Sequence, residues 1–238
     1  MYLSVPPRVR LEGVCTDARR LRPAAILALA MAYLEAATVV YLREIYGITD
    51  LVRDVPAYDP RLAAVELGRE LATLVLLLAL GWAAGSTRQA RLGLACFAFG
   101  LWDILYYFWL RLLIGWPASL LDTDILFLIP LPWWGPVLAP MLIACLAAAG
   151  GWLAVSASDR GRMVRPRKNE WGGMAAGILL VLYAFMADAL AMLPATAEDL
   201  GRLRPSAFPW PVYLAGLAAM AWAVLGSLRR AARAAAPA

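Results

Sequence analysis

The chain has 238 residues, 63% of them hydrophobic and only 16% charged, with a mean hydropathy of +0.67 and a formal net charge of +5. Several apolar runs approach the ~20 residues that carry an α-helix across ~30 Å of hydrocarbon, so the composition excludes an ordinary soluble domain and predicts an all-α, polytopic membrane protein. There is no histidine, which removes the commonest metal ligand, the usual haem ligand and the usual neutral-pH acid–base group.

The stretch 1–23 is rich in arginine, with Arg8, Arg10, Arg19, Arg20 and Arg22 ahead of the first apolar run. A basic lead before an apolar run is also the pattern of a signal peptide. Here, however, the run continues past Glu35 to Tyr41, and an uncleaved first span over 24–41 is expected. Glu35 is flanked by Ala36 and Ala37, small residues that admit a close helix neighbour.

The second span, 62–84, opens with Glu66, Arg69 and Glu70. Glu66 and Glu70 stand one turn apart on one face, where two ionised carboxylates repel unless Arg69, a shared proton or a bound cation intervenes. The blander expectation is a cluster of ion pairs that caps the helix near the headgroups. The third span, 92–115, carries Asp103, Tyr107 and Arg111 at helical spacing, so a carboxylate, a phenol and a guanidinium could line one wall of a cavity. Its aromatic residues Tyr106, Tyr107 and Trp109, with Trp116, also fit an interfacial belt.

The tract 116–136 is as apolar as a span, yet Pro130, Pro132 and Pro136 deny it a regular helix. A proline-rich re-entrant or interfacial element before the fourth helix is expected, with Asp122 or Asp124 capping a turn and the other facing the cavity. The remaining spans are read at 137–155, 171–193 (carrying Asp188) and 212–228, followed by a tail at 229–238. One six-helix domain, 24–228, results. The runs Ala147-Ala148-Ala149-Gly150-Gly151 and Ala215-Gly216-Leu217-Ala218-Ala219 suit close helix packing within or between chains.

Arginine and lysine set the expected orientation. Fifteen of the 22 basic residues flank the spans on one side (the N-terminal group, Arg88 and Arg91, Arg160 to Lys168, and Arg229, Arg230 and Arg233), which by the positive-inside bias makes both termini cytoplasmic. The opposite loops hold Glu44, Asp50, Asp54, Asp59, Asp122, Asp124, Glu198 and Asp199. A bacterial-type inner membrane is the expected setting. Basic clusters beside spans are what this bias produces, so nucleic acid is not an expected partner; the loop from Ser156 to Glu170 is expected to meet anionic lipid headgroups. Cys15, Cys96 and Cys145 show no C-x-x-C spacing and carry no redox expectation.

Carboxylates inside spans cost roughly 2.5–3.5 kcal/mol each near the bilayer centre, so they usually face a bundle interior or a wet cavity. Glu35, Glu66, Glu70, Asp103 and Asp188 are therefore the expected ion or proton site, supported by Arg69, Tyr107, Arg111, Asp122 and Asp124. The chemistry expected first is proton or cation binding or transport, with a proton, Mg²⁺ or Ca²⁺ as the bound species and no organic cofactor. The second expectation is a non-catalytic subunit or assembly factor, within a homo-oligomer or a larger membrane complex. The third is an intramembrane acid–base enzyme acting on a lipid or isoprenoid; no serine-hydrolase, zinc-protease, P-loop or dinucleotide motif is present.

Overall fold

The computed structural model describes residues 16–48, 60–127, 131–196, 199 and 203–233. Arg8, Arg10, Cys15, Asp50, Asp54, Asp59, Pro130 and Glu198 lie outside the described residues. The described chain forms helices α1 (Thr16–Tyr46), α2 (Pro60–Ala84) and α3 (Arg88–Ile114), strands β1 (Thr123–Phe127) and β2 (Trp133–Pro136), then helices α4 (Leu138–Asp159), α5 (Lys168–Ala191) and α6 (Trp210–Arg233). All six helices are long and apolar enough to cross a membrane. Their outer faces carry the side chains that lipid would solvate: Leu34, Val75, Leu112, Leu179 and Trp222 are each more than half exposed.

α1 extends beyond its expected span at both ends, and α3 begins four residues before its own. The apolar stretch measures the hydrocarbon thickness, whereas the helix continues into residues such as Arg20, Arg22 and Arg43, whose long side chains reach back toward polar surroundings. Thr87 starts α3 as its N-cap, accepting a 3.0 Å hydrogen bond from the Ala90 amide. Gly115 ends it in the left-handed conformation, φ 71°, which glycine adopts without steric cost.

The helices pack through small residues. A Cβ added to Gly100 would stand 2.2 Å from the Ala144 carbonyl, and one added to Gly151 would stand 2.4 Å from the Gly93 carbonyl, so α3 and α4 approach backbone to backbone. Gly177 and Gly216 do the same for α5 and α6. The small-residue runs of the fourth and sixth spans are thus used inside the chain. On α1, Ala28, Ala32 and Ala36 are fully buried, and the first two join Ala98 and Trp102 of α3 in one core cluster. α2 is peripheral: it packs on α3, touches α1 lightly, and does not pack on α5.

The proline-rich tract contains the only strands among the described residues. β1 and β2 pair antiparallel, with Thr123 opposite Pro136, Asp124 opposite Gly135 and Ile125 opposite Trp134. Pro132 precedes β2 and Pro136 ends it, the places where a missing amide proton is tolerated. A lone two-stranded hairpin is marginal in stability; this one is held by packing. Gly135 lets the strand approach Phe185, which a Cβ would meet at 2.8 Å, while Trp133 stacks on Phe185 with ring centroids 6.5 Å apart. Phe185, Phe208, Trp210 and Tyr213 form the aromatic cluster beneath, and the Tyr213 hydroxyl donates to the Ala139 carbonyl at 2.6 Å. The hairpin therefore joins α4, α5 and α6 at one end of the bundle, called here the hairpin end; the opposite end is the basic end.

Candidate functional site

Beneath the hairpin lies a cavity of about 670 Å³ to which all six helices and both strands contribute lining residues. Its walls are unlike one another. The α4–α6 side is apolar, with Ile143, Val181, Phe185 and Met220, whereas α1, α2, α3 and β1 supply Glu35, Glu66, Glu70, Asp103 and Asp124 together with Arg43 and Arg69. Five carboxylates thus share the space with two guanidiniums.

Arg69 organises three of them. Its Nε donates to Glu66 Oε2 at 2.9 Å and its Nη2 to Glu70 Oε1 at 2.7 Å, while Nη1 donates to Glu35 across the α1–α2 gap. The planar fork of a guanidinium can serve several oxygens at once, which an ammonium cannot do with the same geometry. This resolves the repulsion expected between Glu66 and Glu70: arginine is the cation between them, and it recruits Glu35 as well. Among the described residues no three Cys, Asp or Glu side chains are grouped so as to hold a metal ion.

Asp103 and Tyr107 both line the cavity, as their spacing predicts, and part company in their bonding. The Tyr107 hydroxyl donates to Asp124 Oδ2 at 2.9 Å, and the Ile125 amide donates to Asp124 Oδ1 at 2.9 Å. Tyr107 and Asp124 are both buried, so this bond fixes the hairpin to α3. The Asp103 carboxylate has no hydrogen-bond partner among the described residues. At ~1.5 Å per residue, Glu35, Glu70 and Asp103 all lie ~15–17 Å from the hairpin-end termini of their helices, at one level near mid-bundle.

Three expected site residues stand elsewhere. Asp188 does not join the others: its carboxylate accepts from the Ser206 amide at 2.8 Å and the Ser206 hydroxyl at 2.5 Å, tying the end of α5 to the segment before α6. Arg111 is not among the cavity's lining residues and donates to the Gly115 and Pro117 carbonyls at 2.5 and 3.0 Å, satisfying backbone acceptors left free where α3 ends. Asp122 accepts from the Ala118 and Ser119 amides at 2.7 and 3.2 Å. It caps the turn behind it, and Asp124 is the acid that reaches the cavity.

Arg43 was not among the expected residues. It sits two turns from Glu35 on the same face of α1, lines the cavity, and lies 4.3 Å from the Trp116 ring centroid in a cation–π contact. Its Nε is buried without a hydrogen-bond partner among the described residues, as are the indole nitrogens of Trp102 and Trp133, two more lining residues. The spacing of Glu35, Val39 and Arg43 at i, i+4, i+8 was the available signal; ending the span at Tyr41 concealed it.

At the basic end, acids among the described residues are held by arginines. Arg230 binds Glu170 between α6 and α5, and Arg20 binds Asp159 at 3.2 Å. Gln89 donates to the Ala154 and Arg162 carbonyls and accepts from the Val164 amide. Comparison with protein-family models, with curated proteins and with solved structures finds no match, so the functional reading rests on this geometry.

Proposed function

We propose that the chain is a multi-pass protein of a bacterial-type inner membrane, with both termini cytoplasmic, whose outward-facing carboxylate pocket binds a cation or proton. One observation carries the reading: five carboxylates and two guanidiniums share a single cavity, and one carboxylate, Asp103, has no hydrogen-bond partner among the described residues. With every group ionised the cavity holds three negative charges more than positive ones. A low-dielectric space does not sustain that excess, so protons or a cation must make it up. The positive-inside bias supports placing the hairpin end outward. The pocket is the binding half of a transport cycle; moving the bound species inward requires a path through the basic end.

The test is titration of the purified protein with Na⁺, Mg²⁺ and methylammonium, read by tryptophan fluorescence from Trp102 and Trp133 on the cavity wall, with an infrared carboxylic-acid band recorded alongside. A saturable response to a cation, or an acid band, that disappears in Asp103→Asn is the expected result. Absence of both in the folded wild-type protein overturns the reading. Flux in liposomes, abolished by Asp103→Asn or Glu35→Gln, then separates transport from binding alone.

A further inference from the structure

The cavity is larger and more apolar than a bare ion needs. Its volume of about 670 Å³ falls within the roughly 300–1,000 Å³ of sites that bury organic ligands, and most of its lining away from the acids is aliphatic or aromatic. It also has a way in from the side. Leu71 and Leu74 of α2 and Ile178 of α5 line it and are each more than 40% exposed, although α2 and α5 do not pack on one another. In a membrane that gap faces acyl chains. A ligand arriving through it would pass between the apolar side chains of α5 and the Arg69 cluster of α2 and reach the Asp103 carboxylate of α3, which has no hydrogen-bond partner among the described residues.

We propose, resting on the cation-binding reading above, that the ligand is an amphiphile with an ammonium head and a hydrocarbon tail, taken up laterally between α2 and α5. Its head lies at Asp103 and Glu70, which supply the negative charge, beside the aromatic faces of Tyr106 and Trp102, which suit an organic cation. The tail lies against Val181 and Phe185 and leaves through the α2–α5 gap. An anionic head is excluded by the same charge count, and a metal ion would leave the apolar wall unused. Each buried methylene contributes enough to raise affinity roughly fourfold, so tail length is a direct probe of this geometry.

The experiment is a fluorescence titration in neutral sugar-detergent micelles, with empty micelles as the blank. The probes are methylammonium, butylammonium, octylammonium and dodecylammonium, and alkyl sulfates of the same lengths. Affinity for the ammonium series should climb at least a hundredfold from methyl to octyl. It should fall at least tenfold in Asp103→Asn, and the sulfates should not saturate. Ile178→Trp, which fills the gap, should weaken dodecylammonium at least tenfold. Ammonium binding that is flat with tail length overturns the amphiphile and leaves the cation pocket standing. No saturable binding by any ammonium overturns both, and sulfates that bind as the ammoniums do reduce the cavity to an unselective apolar groove and overturn the inference.

Discussion

The two ends of this bundle hold buried charge in opposite ways. At the basic end Glu170 is bound by Arg230 and Asp159 by Arg20, and each pair joins parts of the chain distant in sequence. At the hairpin end Arg69 is shared among Glu35, Glu66 and Glu70, Asp124 is held by a phenol, and Asp103 is held by nothing described. A matched pair is accounted for by the fold it joins. Under the proposed cation or proton binding, the surplus of desolvated carboxylate is accounted for by what the cavity receives. On the proposed function the difference is between structural and functional charge, and substitutions at the two ends should separate the two.

The largest effect belongs to Arg69. Arg69→Met removes the one cation from among three carboxylates and should cost up to about 3 kcal/mol, the low end of the loss when one partner of a buried ion pair is deleted, because the cluster is only partly buried. The expected outcome is a marked fall in Tm in detergent, with Arg69→Lys intermediate because an ammonium cannot span three oxygens in the plane of a guanidinium. A Tm for Arg69→Met within a degree or two of wild type would mean that the three glutamates are not held together by Arg69 and that the cavity's polar wall is misread. Combining it with Glu35→Gln should recover part of the loss, as coupled neighbours do.

Next comes the basic end. Glu170→Gln should lower Tm by less than Arg69→Met, since one pair near the helix ends is broken, and should leave cation and ammonium binding unchanged. A loss of binding there would place Glu170 on a conducting path and merge the two ends that are contrasted here. Asp122→Ala should be smaller again, about 1 kcal/mol, the typical worth of a side chain that caps backbone amides, also with binding retained. Hydrogen exchange localised to residues 118–122 would report the frayed turn, and uniform protection would show that Asp122 does not hold it.

Much of this was legible in the sequence, and the omissions have physical causes. Hydropathy finds the six helices because lipid demands length and apolarity, but it cannot see where a helix ends beyond the hydrocarbon, which is why Arg43 falls outside the span expected over 24–41. Prolines at 130, 132 and 136 announce that no helix forms. They do not announce a hairpin, because the alternation that marks a strand fails when both faces are covered, as in Thr123–Phe127. Intramembrane acids mark a site by their cost, and Glu35, Glu66, Glu70 and Asp103 do converge. The same cost is met at Asp188 by Ser206, which no spacing links to it. The apolar wall was invisible for the opposite reason: Val181 and Phe185 look like any core residues until the fold sets them across a space from the carboxylates.

The smallest expected effect on stability is also the most discriminating. Asp103→Asn replaces a carboxylate that has no described partner with a neutral side chain of the same shape, so it relieves desolvation and breaks no bond. Tm should stay level or rise, in contrast to every substitution above, while cation and ammonium binding are lost. Stability and binding then move apart at a single position, as trade-offs at functional sites commonly do. A fall in Tm comparable to that of Glu170→Gln would show that Asp103 holds a structural bond, and the surplus of charge on which the contrast rests would shrink to an ordinary buried network.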